Sequence, residues 1–267
     1  MNIEILISTM NLENHEDLVN NLKVKKSLVI NQTNTMQIKD IDYGDKRLYS
    51  FNEKGLSKSR NRALDNAIGD ICVLADDDLE YEENYEKTIN DGYIKYPDAD
   101  IIAFYVDNYD SNKKRPKRKE GKINFLKSLQ IQSVQVTFKR KSIKDKKIRF
   151  NENFGAGTKF YMGEENIFLA ECLKKGLKIY YVPKTIATLK DNNSSWFKGF
   201  DENYFNVRGA VFYAMSKTWY KLLIIQFAIR KRKRFIDNKI STLKAIEYML
   251  NGVKKYKREC LWKKHIL

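Results

Sequence analysis

Four short apolar runs set the terms for what this chain can fold into. Residues 3–8, 27–30, 47–51 and 71–75 are each too short for a buried helix and read as strands. Helical patterns lie between them. Leu18, Val19 and Leu22 recur at helical spacing after the first run. Residues 58–67, opened by Gly55-Leu56-Ser57, place Ala63, Leu64 and Ala67 on one face with Ile68 beyond. A polar helix over 83–95 leads to a fifth run at 100–106. Strands alternating with helices predict an α/β fold with a largely parallel central sheet flanked by helices. In such sheets ligands gather beyond the carboxyl ends of the strands. That rule selects Thr9, Asn11, Gln32 and the run Asp76-Asp77-Asp78, each placed just after a predicted strand.

The second half is patterned differently. Residues 134–138 alternate like an exposed-edge or mixed-sheet strand. A glycine-containing loop is expected over 151–162, a helix over 163–175 and a strand over 178–182. No internal repeat is visible.

Charge divides the chain. Its 267 residues carry a net charge of +16, and 42% are hydrophobic, enough to bury a core and to exclude disorder as the main state. Residues 217–267 hold +12 of that charge and residues 1–216 only +4. The expected organisation is a working domain over 1–216 and a basic, amphipathic helical extension over 217–267. In the extension, Leu222 to Ile225, Phe227 and Ile229 run into Arg230-Lys231-Arg232-Lys233-Arg234. Ile240, Leu243, Ile246, Met249, Leu250 and Val253 then recur at helical spacing, with Trp219, Tyr220 and Trp262 nearby. Apolar faces edged with Lys and Arg suit an anionic membrane surface. The competing reading is a helix pair packed on the main domain with a solvated basic face. A smaller basic run over 113–119 reads as a loop, mostly solvated. No recognised nucleic-acid motif accompanies the charge, and no nucleic-acid partner is expected.

Cys72, Cys172 and Cys260 are far apart, which argues for a reducing compartment and no disulfide framework. His15 and His265 stand at opposite ends, which argues against a zinc site. Residues 3–7 carry Glu4 and no basic leader, and no run reaches the length of a membrane span. The expected location is the cytoplasm, peripheral on the inner face of the cell membrane.

Three consecutive aspartates repel one another, and a divalent cation relieves the repulsion. Hard carboxylate oxygens suit Mn²⁺ or Mg²⁺, whose shells are commonly completed by phosphate and water. If the segment stays extended, Asp76 and Asp78 point the same way and share one ion, while Asp77 points opposite. The competing reading is a surface turn with a helix cap. Upstream, Ser57-Lys58-Ser59-Arg60-Asn61-Arg62 stands at a helix start, where free N–H groups and an arginine suit a diphosphate. A capped, solvated helix is the alternative there. Glu164-Glu165 at a helix start reads equally as a carboxylate pair favoured by the helix dipole.

The order of these pieces is more specific than any one of them. Ser8-Thr9-Met10-Asn11, Gly55-Leu56-Ser57 with Ser59 to Leu64, Val73 to Asp78, and Gly163-Glu164-Glu165 together resemble the family 2 glycosyltransferases of GT-A fold over about residues 2–190. The resemblance implies a nucleoside pocket lined by Thr9 and Asn11, with Ser57, Arg60 and Asp77 toward the nucleotide. It puts Asp76 on the ribose side and Asp78 on the metal, as in the family's DXD motif. Gln32 stands where relatives often hold the base with a carboxylate. Glu164 and Glu165 match the family's Glu-Asp pair, and Glu165, one methylene longer than the usual aspartate, is the implied catalytic base. Many relatives place a metal-binding His after the last core strand. Here that stretch, 188–196, has none, leaving Lys190 or Asp191 to act at that place.

The expected activity is metal-dependent, inverting transfer of a sugar from a nucleotide-diphosphate donor, with a UDP-sugar favoured, to a hydroxyl of a glycan or lipid-linked saccharide in bacterial surface polysaccharide synthesis. Two alternatives stand beside it. A sugar-phosphate nucleotidyltransferase usually needs a Gly-rich, cationic loop after the first strand, and residues 11–17 have neither glycine nor cation. A non-catalytic nucleotide-sugar or glycan binder is the other, since both departures fall at active-site positions.

Overall fold

The computed structural model describes residues 1–34, 40–108, 118–190 and 199–266. Most of the basic run over 113–119 and the stretch 191–196 lie outside these described residues, as do the side chains of Trp262 and His265.

The chain alternates strands and helices as its patterning predicts. β1 (Ile3–Met10) is followed by α1 (His15–Leu22), β2 (Ser27–Gln32), a short β3 (Ile41–Asp42) and β4 (Lys46–Phe51). Next come α2 (Leu56–Asn66), β5 (Ile71–Asp76), β6 (Leu79–Tyr81), α3 (Tyr85–Lys95) and β7 (Ile101–Asn108). β8 (Gly121–Ile123), α4 (Phe125–Ser128), β9 (Val136–Lys139) and α5 (Arg140–Asp145) precede α6 (Glu164–Lys174) and β10 (Ile179–Leu189). Three further helices complete it: α7 (Glu202–Met215), α8 (Tyr220–Lys231) and α9 (Thr242–Ile266).

One mixed sheet runs in the order β3-β4-β2-β1-β5-β9-β7-β10-β6, with β8 added to β10. β4, β2, β1 and β5 are mutually parallel, and β7 and β10 are parallel to each other. The central strands are buried on both faces, which is why they read as continuous apolar runs. Side chains alternate between two cores. Ile3, Ile5, Ile7, Ile71, Val73 and Ala75 pack with Leu18, Val19 and Leu22 of α1 and with Tyr85, Ile89 and Tyr93 of α3. Leu6, Cys72 and Leu74 pack on the opposite face with Ala63 of α2 and with Phe168, Leu169 and Cys172 of α6.

Two expectations for the second half are refined. Of the two placements open for the strand over 134–138, edge or mixed-sheet, the second holds: after a 3-10 turn, β9 runs antiparallel between β5 and β7 at the centre of the sheet. The strand expected over 178–182 continues to Leu189. Its register shifts between Val182 and Thr185, so Pro183 lies at a bulge, where its missing N–H does least harm.

A third core holds the carboxyl-terminal helices. Met249, Val253 and Ala245 of α9 pack with Phe205, Val207, Ala210, Val211 and Phe212 of α7. The two helices touch through backbone. A Cβ on Gly209 would stand 1.9 Å from the carbonyl oxygen of Met249, and one on Gly252 1.8 Å from that of Asn206. Thus α7, before residue 216, and α9, after it, share one core. Among the described residues no helix is long and apolar enough to cross a membrane.

Candidate active site

The carboxyl ends of β1, β2 and β5 meet the amino end of α2, and the polar residues selected above collect there. Ser8 pairs in register with Asp76 across β1 and β5. Thr9 donates its hydroxyl to the carboxylate of Asp77. Asn11 is exposed and left-handed at φ 51°, and its amide N–H donates to the Gln32 carbonyl at 2.9 Å. Asp77 is exposed, Asp78 half-buried, and the Asp76 side chain 38% exposed.

The aspartates do not continue one extended strand. β5 ends at Asp76, and Asp77-Asp78 turn the chain into β6. Strand alternation therefore does not govern which way Asp76 and Asp78 face. The turn is pinned from below, where the Lys190 amide donates to the Asp78 carbonyl at 2.8 Å. The Lys190 ammonium itself donates to the Asn21 carbonyl at the end of α1.

α2 is the hub of the site. Four of its residues, at positions 56, 57, 60 and 61, hold the segment that leads into α6. The Leu56 amide donates to the Ala156 carbonyl, and the Ser57 hydroxyl to the Phe154 carbonyl at 2.7 Å. Asn61 closes a pair of hydrogen bonds with the Phe150 backbone at 3.1 and 2.9 Å. Arg60, only 2% exposed, donates to the Glu164 carboxylate at 2.7 Å and to Asp76 at 3.2 Å. Burial opposes its charge, but the carboxylates of Glu164, Asp76 and Glu165 outweigh that and hold the guanidinium firmly protonated. On the other side, the Ser59 hydroxyl donates to Ser8.

The structure places three of the expected nucleotide residues inside the protein. Ser57 and Arg60, expected toward a nucleotide, are both buried, with the Ser57 hydroxyl donating to Phe154 and the Arg60 Nη groups to Glu164 and Asp76. Gln32 is buried too. Its amide accepts from the Gly55 N–H and donates to the Gly55 carbonyl, both at 3.1 Å. All three brace the site from inside. At the start of α2 the Leu56 N–H is taken by the Ala156 carbonyl and those of Lys58 and Ser59 by the Gly55 carbonyl.

Glu164 and Glu165 open α6, capped by Gly163. Glu164 is buried against Arg60. Gly155, at φ +100°, lies so close that a Cβ there would stand 3.3 Å from the Glu164 carboxylate carbon. Glu165 is half-buried, and its carboxyl is pushed up to about 8. Burial is the main cause and the neighbouring Glu164 adds to it, while Arg60 and Arg208 pull the other way. A carboxyl group of this kind is matched to proton transfer near neutral pH. Arg208, on α7, went unnoticed in the sequence. Its signal there was a lone cation inside the apolar stretch 205–212.

Among the described residues no three His, Cys, Asp or Glu side chains are placed to hold a metal ion by themselves. What the mouth offers is carboxylate oxygen at the turn 76–78, with Asp76 shared with Arg60 and Asp77 with Thr9. That donor set fits a hard divalent cation that takes one or two carboxylates and completes its shell with phosphate and water.

The glycosyl transferase family 2 model matches residues 34–165, a span that contains α2, the aspartate turn and Glu164-Glu165. A search of the curated proteins finds no match. Among solved structures, S. aureus TarS 1-349 in complex with UDP-GlcNAc superposes with a TM-score of 0.66 at 15% identity, covering 96% of this chain and 80% of that one. The same protein in complex with UDP gives 0.60 at 13% identity, covering 95% and 81%. Against a longer S. aureus TarS structure the score is 0.56 at 16% identity, and this chain spans 39% of that length. At these identities the likeness is one of fold.

Proposed function

We propose that this chain, whose residues 34–165 match the glycosyl transferase family 2 model, transfers a sugar, with inversion, from a UDP-sugar to a hydroxyl of a glycan or lipid-linked saccharide. One observation carries the reading. Buried Arg60 ties Asp76, at the donor end of β5, to Glu164 at the start of α6, and so fixes Glu165 relative to the aspartate turn. The UDP-GlcNAc and UDP complexes of TarS, which share the fold, support a uridine donor.

In the proposed reaction Glu165 accepts the proton of the acceptor hydroxyl. The acceptor oxygen attacks the anomeric carbon from the face opposite the leaving group. The bond from that carbon to the diphosphate breaks, and its electron pair leaves with the nucleoside diphosphate. A single displacement inverts the centre. Thr9 and Asn11 line the nucleoside side, and Asp77 is oriented by Thr9. Mn²⁺ or Mg²⁺ would be held by Asp78 and Asp76, where it would neutralise charge on the departing diphosphate. Arg60, Ser57 and Gln32 act by positioning. The acceptor is assigned to an anionic membrane surface approached through residues 217–267, on the strength of the charge those residues carry.

Thermal unfolding with UDP, GDP, CDP and TDP, each with and without Mn²⁺, tests the donor half. A ligand at 100 times its Kd adds about 2.7 kcal/mol, a shift of several degrees. A metal-dependent shift with UDP is expected. No shift with any nucleotide refutes the reading.

A further inference from the structure

The carboxyl-terminal helices divide their apolar residues unequally, and the division singles out a surface. The stripe on α9 is consumed in part: Met249 and Val253, with Ala245, are buried against α7, Ile246 and Leu250 are half-buried and Leu243 is exposed. α8 is apolar on two sides. Leu223, Ile224 and Ala228 enter the core, whereas Leu222, Ile225 and Ile229, three and four residues apart, form a second row that faces outward. Trp219, 65% exposed, precedes that row, and Ile229, 63% exposed, ends it. Ile236 and Leu243, also exposed, follow in the chain just beyond.

Cations edge this row. Lys217 and Lys221 stand at its start, and Arg230, Lys231, Arg232, Lys233 and Arg234 at its end. Among the described residues none of these seven makes a salt bridge, although Lys and Arg elsewhere in the chain make many. The ammonium of Lys231 is held below its usual range by burial and by its neighbours Arg234, Arg230 and Arg208. Such a cluster of like charges beside exposed aliphatic and indole groups calls for a partner that is anionic at its surface and apolar just beneath.

We propose that the outer face of α8, from Trp219 to Ile229 with the basic residues 230–234, is the surface by which this chain docks on a bilayer containing anionic lipid. The row enters the interface between headgroups and acyl chains, and the cations meet the lipid phosphates. The proposal deepens the reading of a membrane-borne acceptor and rests on it. It also centres the contact on the shorter α8 instead of the long α9, since Met249 and Val253 of the α9 stripe are buried while Leu222, Ile225 and Ile229 of α8 form an exposed row.

The test is co-sedimentation of the full chain with vesicles of phosphatidylcholine alone or with 30% phosphatidylglycerol, a composition rich enough to give a negative surface. Binding only to the anionic vesicles is expected, weakening as salt is raised. It should be accompanied by a blue shift of tryptophan emission that Trp219→Phe removes. Ile225→Glu with Ile229→Glu, both at exposed positions, should lower vesicle affinity at least tenfold. Arg232→Glu with Lys233→Glu should lower it by a similar factor, because each basic group near the surface contributes about fivefold. Equal binding to neutral vesicles, or undiminished binding by either double variant, overturns the proposal. So does a vesicle-inert chain that dimerises in solution until Ile225→Glu disperses it, which assigns the row to a second copy. The UDP-induced thermal shift, measured on the same variants without lipid, separates failure of this surface from failure of the transferase reading. It should persist in both double variants.

Discussion

Glu164 and Glu165 are neighbours in sequence with different surroundings, and the proposed roles rest on that contrast. Glu164 has Arg60 at 2.7 Å, while Glu165 is half-buried with its carboxyl pushed up to about 8. A carboxyl raised by burial stabilises the fold least when it is ionised. Between about pH 4.5, where the same group titrates in the unfolded chain, and pH 8, the folded state holds a proton that the unfolded state has lost. Stability from this group therefore falls as pH rises through that window. Glu165→Gln removes the dependence, so its melting temperature should gain on the wild type steadily from pH 5 to pH 8. Over the same range wild-type turnover should rise, because the base must be ionised, while the variant should lose 10²- to 10⁴-fold in kcat. Parallel melting curves for the two proteins across that range would contradict the assignment. The pair itself was legible from residue type and order. The inward orientation of Ser57 and Arg60 on α2 and of Gln32 at the end of β2 was not, since a polar residue on a helix packed on several sides or at a strand end has the same one-letter signature whether it faces a ligand or a backbone carbonyl.

At the scale of elements, the helix pair α7 and α9 depends on two glycines. Gly209 and Gly252 let backbone meet backbone, and neither has room for a methyl group. Gly252→Ala should force the helices apart and cost about 1–3 kcal/mol or more, as overpacking does. For a chain of this size that lowers the melting temperature by several degrees. Gly176→Ala, at a position with open space but φ +82°, tests backbone strain rather than packing and should cost less. A Gly252→Ala protein that melts with the wild type would mean that the helices are not in contact in solution. The parallel strands were legible because burial on both faces leaves an uninterrupted apolar run. For β9 the pattern left edge and mixed-sheet placements both open, because alternation reports one polar face, and Thr137 supplies it while lying inside, its hydroxyl hydrogen-bonded to the Ile102 carbonyl and Tyr93. β10 read as ending at Val182 because the following proline normally forbids a strand, and only the bulge there shows how the ladder resumes.

For the whole molecule the question is whether residues 217–267 are an appendage or part of one cooperative fold. Charge points to an appendage, with +12 of the +16 in the last 51 residues. Packing points the other way. α9 covers Phe205, Val211 and Phe212 of α7, and Tyr256 packs against Phe154 and Phe160 in the segment that leads to Glu164. Asn151 hydrogen-bonds the Tyr256 hydroxyl at 3.2 Å, and Lys159 pairs with Glu259. Composition registers charge segregation but not where an apolar stripe is buried, so the two signals diverge. The packing argument is the stronger, because uncovering several large apolar side chains costs roughly 1.5–3 kcal/mol each, a large share of the 5–15 kcal/mol that holds a domain folded. A chain ending at residue 216 should therefore bind hydrophobic dyes, lose its sharp thermal transition and fail to respond to UDP with Mn²⁺. If that shorter chain instead melts cooperatively near the full-length temperature and keeps its UDP shift, α9 is dispensable to the catalytic half, and the extension is an independent unit after all.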